Sequence, residues 1–268
     1  MTADRTDFAG RVHPRAGSEP RIVSLVPSIT ELLFDLGLGP FVVGRTTFCV
    51  HPRAAVRSVP RVGGTKTVRL DRLREVGPTH VIVNVDENRR SDVDAIESFA
   101  PHVVVTHPLV PGDNPGLYRL LGAIFGREAA ADALARDFAS ELDALRAAAG
   151  RLPSRRVLYL IWKEPWMTVS RDTYISRTLA LVNWETAGHD PGVRYPEVEL
   201  GEALFAGIDL VLLSSEPYPF KPEHATLVRA APGGRRVPIA LIDAEMVSWY
   251  GSRAIRGLRY LADFAARG

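Results

Sequence analysis

The chain has 268 residues, room for one large domain or two modest ones, and its 46% hydrophobic and 24% charged residues are those of an ordinary globular protein. With 33 basic against 31 acidic residues, the net charge of +2 gives no argument for a nucleic-acid partner, and none is expected. The single cysteine, Cys49, excludes an intramolecular disulfide and a thiolate-rich metal cluster.

Residues 1–20 read as a flexible tail without the apolar core of about 7–15 residues that a secretory signal needs. No run approaches the ~20 apolar residues of a membrane span, so no membrane insertion is expected. RIVSLV (21–26) predicts a strand and PSITELLFDLGLG a helix, with Ser28 and Glu31 spaced as a capping box. FVVG (41–44) is the next strand, followed by a helix at 70–76, the strand HVIVN (80–84), a helix at 91–99 and the strand HVVVT (102–106). Residues 126–150 then read as one long helix, with Ala131, Leu134, Phe138, Leu142, Leu145 and Ala149 on its apolar stripe.

Beyond it the pattern restarts: strand 155–162, helix 175–182, helix 197–205, strand 209–214, strand 237–242 and a final helix 251–266. The expectation is an α/β fold of two Rossmann-like lobes with mostly parallel sheets, residues 21–125 and 151–268, joined by the backbone helix at 126–150. The halves echo each other. Gly77 and Gly207 each end a helix ahead of an apolar strand, and nine residues after each stands an acid, Asp86 and Glu216, past the strand's carboxyl end, where α/β sheets bind ligands.

All four tryptophans and six of seven tyrosines follow the long helix. Rings in loops that also carry Arg, Glu and Lys suit a large, flat, partly polar ligand. Trp162 and Trp184 are expected in the core, Trp166 and Trp249 in the loops. Cys49-x-His51 lacks the partners of a structural zinc site, and no protein metal site or intrinsic cofactor is expected. His80 and His102 read as structural, and His107, His189 and His224 as isolated in loops. Lys66 after Gly63-Gly64-Thr65 is a fragment of a phosphate loop without its full pattern. No G-x-S-x-G or H-E-x-x-H is present, and no catalytic residue is assigned.

The text P-S-I-T-E-L-L-F-D-L-G, with F-C-V-H-P, V-G-G-T-K, E-N-R, W-K-E-P-W-M, T-Y-I, R-Y-P-E-V, S-E-P-Y-P-F and S-W-Y-G-S-R, resembles the helical-backbone metal-receptor superfamily over residues 21–265. These are the periplasmic substrate-binding proteins of ABC importers for vitamin B12, ferric siderophores and haem, and the resemblance is to a cobalamin-binding-like subgroup. It implies a monomer without enzymatic activity that holds a corrinoid or iron chelate in a cleft between its lobes. The ligand-lining residues it implies are Phe48, Lys66, Glu87, Asn88 and Arg89 in the first lobe. In the second they are Trp166, Tyr195, Glu216, Tyr218, Phe220, Trp249 and Arg253. It also implies docking on an ABC permease through Asp71 and Glu202, which lie at nearly equal offsets from Gly77 and Gly207. The resemblance implies a periplasmic location, whereas the tail leaves the cytoplasm as an alternative. Two other readings of the same residues are a cytosolic carrier or sensor of a corrinoid or metal cofactor, and an enzyme using Glu87 and Glu216 as facing carboxylates.

Overall fold

The computed structural model describes residues 4–187 and 192–267. His189 lies outside the described residues. The chain divides into two compact units: Met1–Pro108, Gly112–Ala139 and Tyr250–Arg253 form the first, and Leu109–Pro111, Ser140–Trp249 and Ala254–Gly268 the second.

In the first unit β1 (Ile22–Ser24), α1 (Pro27–Asp35), β2 (Val42–Arg45), α2 (Leu70–Glu75), β3 (His80–Asn84), α3 (Arg90–Glu97) and β4 (His102–Thr106) follow one another. The four strands pair in parallel in the order β2-β1-β3-β4. Alternate residues Val81, Val83, Val103 and Val105 enter one apolar cluster with Leu73 and Ile96, while Ile82 and Val104 are equally buried outside it. The sheet is thus covered on both faces, which is why its strands read as unbroken apolar runs.

The α1 capping box does not form. The cap falls two residues earlier than Ser28, at Val26, with Pro27 at the helix start and no side-chain capping bond. Glu31 instead joins a buried ion pair with Arg253.

A helix that the sequence reading missed, α4 (Asn114–Phe125), leads into the long α5 (Glu128–Ala149). A Cβ at Gly122 would lie 2.6 Å from the Ala131 Cβ, so the close approach of these helices requires glycine there. Along α5, Ala131, Phe138, Leu145 and Ala149 are buried as the stripe predicts, and Leu134 and Leu142 are half-buried. The division between the units falls inside α5, after Ala139, rather than at its ends.

Within the N-terminal tail, the stretch from Asp7 to Ala16 is docked on the first unit rather than loose. Phe8 N donates to Val105 O at 3.1 Å, Ala16 N to Ile124 O at 2.7 Å, and Val105 N to the Asp7 carboxylate at 3.0 Å. Asp7 also accepts from the Ala9 and Arg11 amides and pairs with His13 at 2.9 Å. These bonds hold the carboxyl below its ordinary range although burial pulls the other way.

The second unit repeats the plan with β5 (Arg155–Leu160), α6 (Tyr174–Leu179), β6 (Trp184–Thr186), α7 (Glu202–Phe205), β7 (Leu210–Ser214), α8 (His224–Ala230), β8 (Ile239–Ile242), α9 (Ala244–Ser248) and most of α10 (Arg253–Arg267). Its strands are also parallel, in the order β6-β5-β7-β8, the same permutation as in the first sheet. The internal echo extends to hydrogen bonds. Gly77 and Gly207 both have positive φ, at 54° and 76°. Two residues on, Thr79 Oγ1 accepts from Arg21 N at 2.8 Å and Asp209 Oδ2 from Arg156 N at 2.7 Å, clasping the first strand of each sheet.

Candidate functional site

In the first unit the candidate residues sit on loops past the carboxyl ends of β2 and β3. Asn84 shapes the second loop: its Oδ1 accepts from Asp86 N at 2.8 Å and Glu87 N at 3.3 Å. Asn88 closes it, accepting from Asn84 N at 2.9 Å and donating to Leu25 O and Thr65 O. With every polar atom of its amide engaged and its side chain buried, Asn88 holds the loop.

Lys66 Nζ donates to Asp86 O at 2.6 Å, tying the Gly63–Lys66 turn to the same loop. That turn needs glycine at Gly63, where φ is 111° and a Cβ would meet Thr67 O at 2.4 Å. The exposed Phe48 ring lies beside Gly64, and Arg89 is exposed at the start of α3. The Tyr250 hydroxyl donates to Glu87 Oε1 at 2.5 Å, and burial followed by the Glu87 charge keeps that phenol protonated. His107, expected to be isolated, stands 3.6 Å from Asp86 Oδ2.

Arg253 is placed differently from the expectation. Its Nε and Nη2 grip Glu31 at 2.7 and 2.9 Å, with both side chains buried, and it lies in the first unit rather than the second.

In the second unit, rings gather past the carboxyl ends of β5 and β7. Trp166 stacks on Phe220 with centroids 5.9 Å apart and planes at 5°, and Phe220 packs on Tyr218 at 4.7 Å. Trp162 meets Tyr218 edge-on at 5.7 Å. Trp162 is 40% exposed rather than a core residue, whereas Trp184 is in the core as expected. His224 belongs to this cluster too: its Nδ1 accepts from Lys221 N at 2.9 Å, which leaves Nε2 to donate to the Tyr218 hydroxyl at 3.2 Å. Phe220 is buried and backs the more exposed rings. Trp162 and His224 were both missed. The ring content of W-K-E-P-W was a readable signal for Trp162, but nothing in sequence joins His224 to Tyr218.

Glu216 accepts from Trp249 Nε1 at 2.6 Å and Ser248 Oγ at 3.3 Å. Burial pushes its carboxyl above the ordinary range against the pull of the Trp249 bond, and the nearby acids Glu245 and Asp243 push the same way. Trp249 is accordingly a buried anchor for Glu216 instead of an open ring. Tyr195 is exposed on a loop held by Thr168 N to Pro196 O at 3.0 Å and Ser170 N to Arg194 O at 2.8 Å. Asp71 and Glu202 are exposed acids in the first turns of α2 and α7, and Asp71 is paired with Arg69 at 3.2 Å.

Among solved structures, the vitamin B12 binding protein BtuF of Vibrio cholerae superposes with a TM-score of 0.79 at 17% identity, covering 92% of this chain and 97% of that one. The apo haem-binding protein RhuT of Roseiflexus sp. RS-1 gives 0.79 at 23% identity, covering 93% and 100%. In sequence, the vitamin B12-binding protein of Pectobacterium carotovorum subsp. carotovorum (strain PC1) is 22% identical over 199 residues, 74% of this chain and 72% of that protein. The family profile described as periplasmic binding protein matches residues 22–226, from β1 into α8. With that match running through the first sheet and three of the four strands of the second, and the fold shared with these structures, the chain belongs to the periplasmic binding protein family.

Proposed function

We propose that this chain is the ligand-capturing component of an ABC importer and that its cargo is a large planar metal complex: a corrinoid, or an iron chelate such as haem or a ferric siderophore. The observation that carries this reading is the ring cluster of the second unit. There, exposed Trp162 and half-buried Tyr218 and Trp166 offer flat apolar surface, with Phe220 behind them. Relatives named for vitamin B12 and haem binding support the cargo class.

The cargo-facing residues we assign are Phe48, Lys66, Glu87 and Arg89 in the first unit, and Trp162, Trp166, Tyr195, Glu216 and Tyr218 in the second. Asn88, Phe220, Trp249 and Arg253 hold these in place. Glu87 and Glu216, the carboxylates an acid–base reaction would need, are each held by a ring donor, Tyr250 or Trp249, which suits binding without chemistry. The chain acts on the outer side of the cytoplasmic membrane and presents Asp71 and Glu202 to a permease. No helix among the described residues is long and apolar enough to cross a membrane itself.

Titrating the purified chain with cyanocobalamin, haemin and a ferric siderophore while following tryptophan emission tests the reading. Saturable quenching by at least one is expected. No response to any of them at tens of micromolar, far above the dissociation constants of capture proteins, overturns it.

A further inference from the structure

Residues 53–75 carry Arg53, Arg57, Arg61, Lys66, Arg69, Arg72 and Arg74 against only two acids, Asp71 and Glu75. In the first unit this stretch wraps the outer edge of β2: Arg45 N donates to Pro60 O at 3.0 Å, Val62 N donates to Arg45 O at 2.8 Å, and Arg45 and Arg61 are register partners. Beside them opens a cavity of about 400 Å³ lined by Arg45, Arg57, Arg61, Arg72 and Glu75, with Val59 and Pro60 also on its wall.

Two of the nearby cations are already engaged, Arg69 by Asp71 at 3.2 Å and Arg74 over the Phe99 ring at 4.6 Å. The guanidinium groups of Arg57, Arg61 and Arg72 make no hydrogen bond or ion pair among the described residues. Arg45 is 3% exposed. Its Nε donates to Val56 O at 2.8 Å, and its Nη1 to Thr46 O and Cys49 O, both at 3.1 Å. Its Nη2 has no acceptor and its charge no carboxylate among the described residues. Burial and the neighbouring Arg61 charge both work against the Arg45 cation. A guanidinium does not shed its proton to escape such a site, so an anion entering the cavity would offset both effects.

We propose that this cavity binds the dianionic phosphate group of a phosphomonoester. Four guanidinium groups less the Glu75 carboxylate leave three positive charges on its wall, more than a monocarboxylate neutralises. The guanidinium fork matches phosphate oxygens two at a time. A volume in the small-molecule range leaves room for the organic part of the ester. The same headgroup chemistry occurs on a soluble metabolite and on phosphatidic acid, and the test separates them.

The full chain is titrated with glycerol 3-phosphate by calorimetry and sedimented with phosphatidylcholine vesicles containing phosphatidic acid. The wild type is compared with the double variant Arg61→Gln/Arg72→Gln and with Arg151→Gln, an exposed arginine of the second unit. Saturable binding in at least one arm, weakened tenfold or more in the double variant and unchanged in Arg151→Gln, is expected. Circular dichroism checks that the double variant folds, and if it does not, Arg61→Lys takes its place with the same tenfold criterion. Binding of glycerol 3-phosphate identifies a soluble ester, and binding to vesicles alone identifies the lipid headgroup. No binding in either arm, binding indifferent to the substitutions, or equal loss in Arg151→Gln overturns the proposal.

Discussion

Arg253 and Glu31, 222 positions apart, meet as a two-pronged ion pair with both side chains buried in the first unit. The pair welds the return segment Tyr250–Arg253 to α1, and the same segment supplies the hydroxyl that holds Glu87 and a Gly251 amide bonded to Asn114 Oδ1 at 2.7 Å. Breaking it strands a buried charge. Arg253→Met is expected to cost about 3–5 kcal/mol, read as a lowered urea midpoint, and Glu31→Met/Arg253→Met to recover most of that loss.

His80 is buried, and that burial, followed by the charges of His102 and His13, lowers its pKa to about 4. The native state keeps the imidazole neutral while the unfolded chain takes up a proton near the ordinary 6.5. Its contribution is therefore present above that value and lost as the pH falls toward 4, with a full size of roughly 3 kcal/mol. In His80→Leu, thermal melts between pH 4 and 7 should show a flatter acid limb than the wild type.

Glu216 titrates with the opposite sign. Its raised pKa means that the native state prefers the protonated acid, so stability is greatest below the ordinary value of 4.5 and falls as the pH rises through the raised one. Glu216→Gln keeps an oxygen for the Trp249 Nε1 bond and removes the titration. The variant should match the wild-type Tm at pH 4 and exceed it at pH 7.

The exposed rings should act on cargo rather than on folding. Trp162→Ala and Tyr218→Ala are each expected to weaken binding of the cargo that quenches the wild type by roughly two- to tenfold, the worth of one aromatic contact. Phe220→Ala, by contrast, should lower the urea midpoint, because that ring is buried.

Two strands that follow strict apolar runs were legible to the residue: β3 and β4 occupy the predicted 80–84 and 102–106. Runs such as HVIVN leave little choice, because a parallel strand covered on both faces has no polar side to confuse the pattern. The helix α4 escaped notice because Gly116 and Gly122 interrupt its text, although Pro115 near its start was a usable signal. The docked tail escaped for another reason: it is held by backbone bonds, by the Asp7 carboxylate and by the ion pairs of Arg11 with Glu97 and Arg15 with Glu128, which leave no periodic trace.

At the site, residue types were legible and their duties were not. Trp249 and Glu216 both belonged to the motif text, but only the geometry shows the indole committed to the carboxylate. The motif S-W-Y-G-S-R likewise says nothing of an acid more than two hundred residues upstream that would claim Arg253.

The tail of the first unit has one more consequence. By taking the amide and carbonyl of Val105, Asp7 and Phe8 occupy backbone groups on the outer rim of β4, while Pro60 and Val62 do the same for Arg45 on the rim of β2. An open rim of a sheet is a template for a foreign strand. Here both rims are stoppered by irregular chain too short to extend the ladder. The segment around Asp7 is therefore a guard against aggregation, and a chain lacking it would present β4 as an adhesive edge.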